Sequence, residues 1–403
     1  MKTLMAVLAA GFSSVALASA VPTVTNVRLA QDDRHKVTIT YDLEDADGVV
    51  TVVLTTNGVP VAGAHLQGMQ GDVATVVEKG TGRTITWKPH KFWPEGGKVE
   101  GEIAARVTAW PVESPSPYMV VSLDGTKVVR YYETEDALPG GIGDSAYRTT
   151  KMVFRKIPAA TVCYRAGSDV KETGRSTSET VHYVTLTNDF YLAVFPLTQG
   201  QYKAILGSAA TNPSSTIGDN LPVDNLSGGA VGFPYGTPSG RTVSFDSASL
   251  VGKARNATGF TALGCPTQAE WEFACRAGSN DPVYGGYTLD EVAWYVDNSG
   301  GTLQPVGQKK SNAFGLYDML GNVSERVNES YLRTAYAAEV VDPCDMSNSW
   351  GSYQAVCGGS FKSAASVVRA AGWTCGGGSG NGEARYYYYT EPGFGVRFSL
   401  RLK

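Results

Sequence analysis

The chain is short of charge, short of histidine and free of long apolar runs, and each shortage closes a class of function. Charged residues fill 18% of the 403 positions, against a usual ~25%. With 34 Lys and Arg against 38 Asp and Glu the formal net charge is −4. No basic block stands out, so duplex nucleic acid is not an expected partner. There are four histidines, His35, His65, His90 and His182, and none of the six cysteines forms a CxxC pair. A His/Cys zinc cluster therefore has no spacing to support it. Beyond residue 20 no run reaches the ~18 apolar residues that a membrane span needs.

What is present points to strands and ordered loops. Glycine supplies 47 of the 403 residues, tyrosine 21 and tryptophan 7, and the 42% hydrophobic content is ample for packed cores. The first twenty residues read as a signal peptide. Lys2 gives the positive end, Leu4 to Leu17 the apolar stretch, and Ala18-Ser19-Ala20 the small-residue cleavage pattern. The expectation is an exported protein, periplasmic or extracellular, cut near Ala20 and without a lipid anchor, since no Cys follows. Export permits disulfides, and the six cysteines allow 15 full pairings.

Residues 21–110 read as an antiparallel β-sandwich of the fibronectin-III or immunoglobulin-like kind. Lys36 to Leu43 alternates apolar and polar residues, Val49 to Thr56 is mostly β-branched, and Asp47-Gly48 and Asn57-Gly58 mark turns. Pro111, Pro115 and Pro117 interrupt any central strand or helix, so residues 111–147 are expected to be a Pro-rich linker and connector, with one or two strands from Tyr118 on and a Pro139-Gly140-Gly141 loop near its end. The second domain is set at residues 148–403. Thr198 to Gln201 and Thr267 to Glu270 are capping boxes that open its clearest helices. Trp271, Ala274 and Cys275 form an apolar face, on which Cys275 acts as a small buried hydrophobe. The long Gly-, Asn- and Tyr-rich remainder needs pinning by metal, disulfides or aromatic packing.

Several segments occur in order: Lys151 to Ala159 (KMVFRKIPA), His182 to Gln201 (HYVTLTNDFYLAVFPLTQGQ), Cys265 to Gly278 (CPTQAEWEFACRAG), Gln304 to Glu325 (QPVGQKKSNAFGLYDMLGNVSE), Gly358 to Phe361 (GGSF) and Gly395 to Phe398 (GVRF). Together they resemble the sulfatase-modifying factor, or formylglycine-generating enzyme, family over about residues 150–403. The resemblance implies a C-type-lectin-like α+β fold with little regular secondary structure. It implies an oxidase that converts a substrate-protein cysteine to formylglycine at a Cu(I) ion held by two cysteines just after the GGS motif. Soft thiolates suit Cu(I).

Here the sequence departs from the pattern. Ser363 stands where the first copper ligand belongs, and no Cys lies between Ser360 and Arg369. Ser324 replaces the tryptophan of the family's GNxWEW motif. Copper is therefore not an expected cofactor, and Ser360 and Ser363 keep the family's cleft positions with no catalytic role assigned to them. Calcium is expected, held by the side chains of Asp318 and Glu325 and the backbone carbonyls of Gly321 and Val323, as the resemblance implies. Cys357 and Cys375 bracket the cleft segment and are disulfide candidates, with each other or with Cys344. Arg397 is expected to pair internally, and Arg369 either to pair or to line the cleft. Tyr386 to Tyr389 form either a stacking surface or an alternating strand. The function expected is that of a non-catalytic or divergent family member, a binding module for a protein, peptide or glycan. The alternative is a formylglycine-generating-type oxidase with a non-standard site.

Overall fold

The computed structural model describes residues 20–33, 35–89, 99, 101–177, 179–207, 209–233, 246–330, 338–344, 354–374 and 390–402. Nearly all of the segment read as a signal peptide, together with Cys375 and Tyr386 to Tyr389, lies outside them.

The N-terminal strands are β1 (Thr23–Gln31), β2 (Val37–Glu44), β3 (Gly48–Thr56), β4 (Val59–Pro60), β5 (Gln70–Gly71), β6 (Thr75–Val77), β7 (Gly80–Trp87) and β8 (Ile103–Trp110). One sheet runs β1-β2-β7-β5. The other sets β8 on one side of β3, with β4 and β6 on its other side, and all these pairs are antiparallel. In β2 the alternation places Val37, Ile39, Tyr41 and Leu43 inside. They share one core with Val50, Val52 and Leu54 of β3 and with Ile85 and Trp87 of β7. Asn57 and Gly58 both take positive φ, 49° and 78°, which is the turn chemistry expected of that dipeptide between β3 and β4.

The connector carries two strands. Tyr118–Ser122 (β9) and Val129–Tyr132 (β10) form a hairpin whose turn is Asp124-Gly125, and β9 pairs with Lys151–Ile157 (β11). Both strands thus belong to the second domain's main sheet, because the apolar run Met119 to Val121 is buried. The proline stretch is tied down too: Tyr191 donates its hydroxyl to the Ser116 carbonyl at 2.6 Å. The same connector grips the sandwich. Tyr131 N–H donates to Ala74 O at 3.0 Å and Gly140 N–H to Gly63 O at 2.9 Å. Ala137 lies in the sandwich core. A Cβ on Gly63 would stand 1.9 Å from the Leu138 carbonyl oxygen, so this contact needs glycine.

The second domain continues with β12 (Val162–Ala166), β13 (His182–Leu186), β14 (Phe190–Ala193), α1 (Gln199–Leu206), α2 (Gly228–Val231), α3 (Leu250–Thr258), β15 (Leu263–Gly264), α4 (Gln268–Arg276) and α5 (Leu289–Val292). The last strands are β16 (Ser324–Ser330), β17 (Glu339–Val341), β18 (Gln354–Cys357), β19 (Trp373–Thr374), β20 (Phe394–Val396) and β21 (Ser399–Arg401). Its main sheet has the order β10-β9-β11-β14-β21-β15, flanked by β12-β13-β17 and β19-β18-β16-β20. Both expected capping boxes are formed. Gln201 N–H donates to Thr198 Oγ1 at 3.2 Å, and Thr267 N–H donates to Glu270 Oε2 at 2.8 Å. Helix α4 buries Trp271, Ala274 and Cys275 against Leu320, Val327 and Ala355.

Candidate functional site

Two loops meet beside β16. The first, residues 318–325, leads into that strand; the second is the Gly358-Gly359-Ser360 turn after β18. Gly321 N–H donates to Gly358 O at 2.9 Å and Phe361 N–H to Asn322 O at 2.9 Å. Gly321 has φ 74°, and a Cβ there would stand 2.3 Å from the Trp294 carbonyl oxygen, so no other residue fits. Asn322 is fully buried. Its amide donates to Gln304 O at 3.0 Å and accepts from Gln304 N–H at 3.1 Å, which sews the loop to the preceding segment.

Ser360 and Ser363 face each other across their own turn. Ser360 N–H donates to Ser363 Oγ at 2.9 Å, Ser363 N–H donates to Ser360 O at 2.9 Å, and the two hydroxyl oxygens lie 3.4 Å apart. Lys362 N–H reaches Ser360 Oγ at 3.3 Å. These partners are backbone amides and a second hydroxyl, none of them a base that activates a nucleophile. The turn is a geometric closure, and its hydroxyls present no soft donor to a cuprous ion.

The four residues expected to hold calcium, Asp318 and Glu325 through carboxylates and Gly321 and Val323 through backbone carbonyls, are placed close together. Glu325, 1% exposed, receives Arg397 Nε at 3.0 Å on both carboxylate oxygens and Arg397 Nη2 at 2.7 Å. Trp271 Nε1 donates to it at 2.7 Å. Asp318 takes the Gly307 N–H at 2.7 Å on Oδ2 and the Asn322 amide at 3.4 Å on Oδ1. Burial raises its carboxyl above the ordinary 3.8, opposed by the Gly307 amide and by Arg397. Val323 packs its side chain with Leu303 and Phe361. Among the described residues no group of three or more His, Cys, Asp or Glu side chains is arranged to hold a metal.

Sequence reasoning anticipated internal pairing for Arg397, and the structure adds its extent. Arg397 is 0% exposed and also donates to the carbonyls of Ala193, Val194, Tyr317 and Asp318 at 2.8, 2.8, 2.7 and 3.2 Å. Arg369 pairs rather than lining a cleft. Its guanidinium binds Glu172 and holds Glu179 at 2.9 Å, and it reaches Gly174 O at 2.9 Å. Glu172, Glu179 and Asp224 were not singled out, since isolated carboxylates in loops carry no periodic signal. Asp224 accepts Ser215 N–H, Ser215 Oγ and Gly393 N–H, each at 2.8 Å, beneath the Ser360 turn. Arg326, two residues past Ser324, lies over the Phe394 ring at 5.1 Å and donates to Leu226 O at 2.6 Å.

Of the cysteines, Cys265 and Cys275 are free, buried thiols whose ionisation desolvation pushes far up. Cys163 is free and exposed on β12. Cys344 donates its thiol to Asn328 O at 3.2 Å, and Cys357 is buried opposite Glu325 in the β16–β18 register.

The family model described as sulfatase-modifying factor enzyme 1-like domain matches residues 147–377. A curated relative, chaperone protein LppX of Paenibacillus barcinonensis, is 30% identical over 181 residues, covering 35% of this chain and 62% of that protein. The chain thus spans about three fifths of that relative's length. Three solved structures are similar. Treponema denticola variable protein 1 has 20% identity and a TM-score of 0.48, covering 62% of this chain and 96% of its own. PvdO from Pseudomonas aeruginosa has 21% identity and a TM-score of 0.45, with 62% and 94% covered. CarF has 21% identity and a TM-score of 0.38, with 62% and 98% covered.

Proposed function

The chain belongs to the sulfatase-modifying factor enzyme 1-like family, and from that premise we propose that it is a divergent, exported member that binds a protein, peptide or glycan ligand and does not oxidise cysteine. The observation that carries this reading is Ser363. By the resemblance it stands where the family's first copper-binding cysteine is expected, and its hydroxyl accepts from the Ser360 amide at 2.9 Å. A hydroxyl so engaged is a poor ligand for Cu(I) and no substitute for a thiolate. The retained glycines and the buried Asn322 network support the scaffold, and scaffold alone does not fix chemistry. The chaperone name of the curated relative supports a protein ligand. We read the N-terminal two-sheet unit as an immunoglobulin- or fibronectin-type module that presents the second domain. No described helix is long and apolar enough to cross a membrane.

The test is incubation of the full chain with Cu(I), oxygen and a sulfatase-type cysteine peptide, read by mass spectrometry. The peptide thiol is expected to survive without conversion to formylglycine. Turnover of that thiol, with copper bound at one ion per chain, would overturn the reading in favour of an oxidase with a non-standard site.

A further inference from the structure

We infer that the cation which neutralises Glu325 and closes the 318–325 loop is the Arg397 guanidinium, in place of a divalent metal ion. Six oxygens surround that guanidinium: the carbonyls of Ala193, Val194, Tyr317 and Asp318 and both carboxylate oxygens of Glu325. They come from the end of β14, from the loop and from β16. Calcium gathers 6–8 oxygens in such a shell. Here five N–H donors of one planar group satisfy six oxygens at 2.7–3.2 Å.

The direction of the donors also argues against a metal at Glu325. The Asp318 carbonyl points to Arg397, whereas its carboxylate turns to Gly307 N–H and Asn322. Asp318 Oδ2 is thus taken by the Gly307 amide, and both Glu325 oxygens are taken by Arg397. Trp271 Nε1 covers Glu325 Oε2 at 2.7 Å from the helix side. A divalent ion bound to Glu325 would sit beside a fully buried guanidinium, and like charges in a low-dielectric interior repel strongly. Arg397 acts here as a positioning residue: it fixes where the Gly321–Glu325 backbone lies under the Ser360 turn.

The test begins with the full wild-type chain. Trp271 touches Glu325, so a lanthanide on that carboxylate would be excited through the indole. Terbium titration with tryptophan excitation is expected to give no saturable emission that calcium competes away. Melting with and without a calcium chelator is expected to differ by less than about 1 °C. Overturning results are a calcium-competed terbium signal at about one ion per chain, or a chelator-induced drop of about 5 °C or more, provided that Glu325→Gln abolishes it. Calcium dependence that survives Glu325→Gln places the ion elsewhere and upholds Arg397 as the counter-ion. Should Glu325→Gln fail to fold, Asp318→Asn takes its place as the locus control, and the wild-type terbium titration decides.

Discussion

Replacing Arg397 with Met tests how much of the second domain hangs on one side chain. Methionine keeps much of the aliphatic length and removes all five donors. The Glu325 carboxylate, 1% exposed, would keep only the Trp271 N–H, and the carbonyls of Ala193, Val194, Tyr317 and Asp318 would lose a donor. Breaking a buried pair by removing one partner costs about 3–5 kcal/mol, chiefly because the other charge stays buried without compensation. Against a usual total stability of roughly 5–15 kcal/mol, that brings the domain close to unfolding and lowers its melting temperature on the order of 10 °C. The double variant Arg397→Met with Glu325→Gln removes both charges together. Its cost should fall short of the sum of the single costs by about 2 kcal/mol or more. The assay is urea unfolding followed by tryptophan fluorescence, with all three variants compared at constant m. A single-variant cost below about 1 kcal/mol, or strictly additive costs, would refute the claim that the guanidinium and the carboxylate act as one unit.

Gly63→Ala should destabilise the contact between the sandwich and the connector, because its Cβ would meet the Leu138 carbonyl oxygen at 1.9 Å; a loss of about 1–3 kcal/mol is expected, as for overpacking, and limited proteolysis between residues 111 and 147 should speed up, whereas unchanged cleavage would mean that the connector is not clamped there. Asp318 carries a pH signature. Its folded-state pKa is raised by burial, so the stability linked to its proton is present below the unfolded value of about 3.8 and is lost as pH rises through the folded value. Asp318→Asn should show a flatter stability–pH curve than wild type across that window; parallel curves would remove Asp318 as the source. In thiol labelling of the native protein, exposed Cys163 should react fast, while Cys265 and Cys275 should react only after unfolding, because burial disfavours their thiolates. Peptide mapping with Cys265 modified in the native state would contradict that ordering.

Local and periodic features were legible in the residues. The alternation of Val37, Ile39, Tyr41 and Leu43 declared a half-buried strand, and Thr198/Gln201 and Thr267/Glu270 declared helix starts. Each of these is settled within a few residues by sterics and hydrogen bonding. The ordered motifs from Lys151 to Phe398 declared the family, and the absence of cysteine between Ser360 and Arg369 was visible in the bare sequence. One or two strands in the connector were legible as well, but an apolar run such as Met119 to Val121 does not name its partner, and only the fold shows β9 pairing with β11.

The candidate site was legible as a set of names and not as a set of bonds. Sequence spacing placed Asp318 and Glu325 in one loop. It had no means of showing that Arg397, 72 residues away, would bring its charge to Glu325, or that Trp271, 54 residues away, would cap it. Whether a carboxylate serves a metal or an arginine depends on which donor the chain delivers to it. That delivery is made by β21's neighbour segment and α4 packing around β16, through contacts far apart in sequence. The residues by themselves determined the elements, the family and the missing thiolate; only the tertiary structure decided which charges meet, because a buried charge takes the partner that packing places within hydrogen-bond reach.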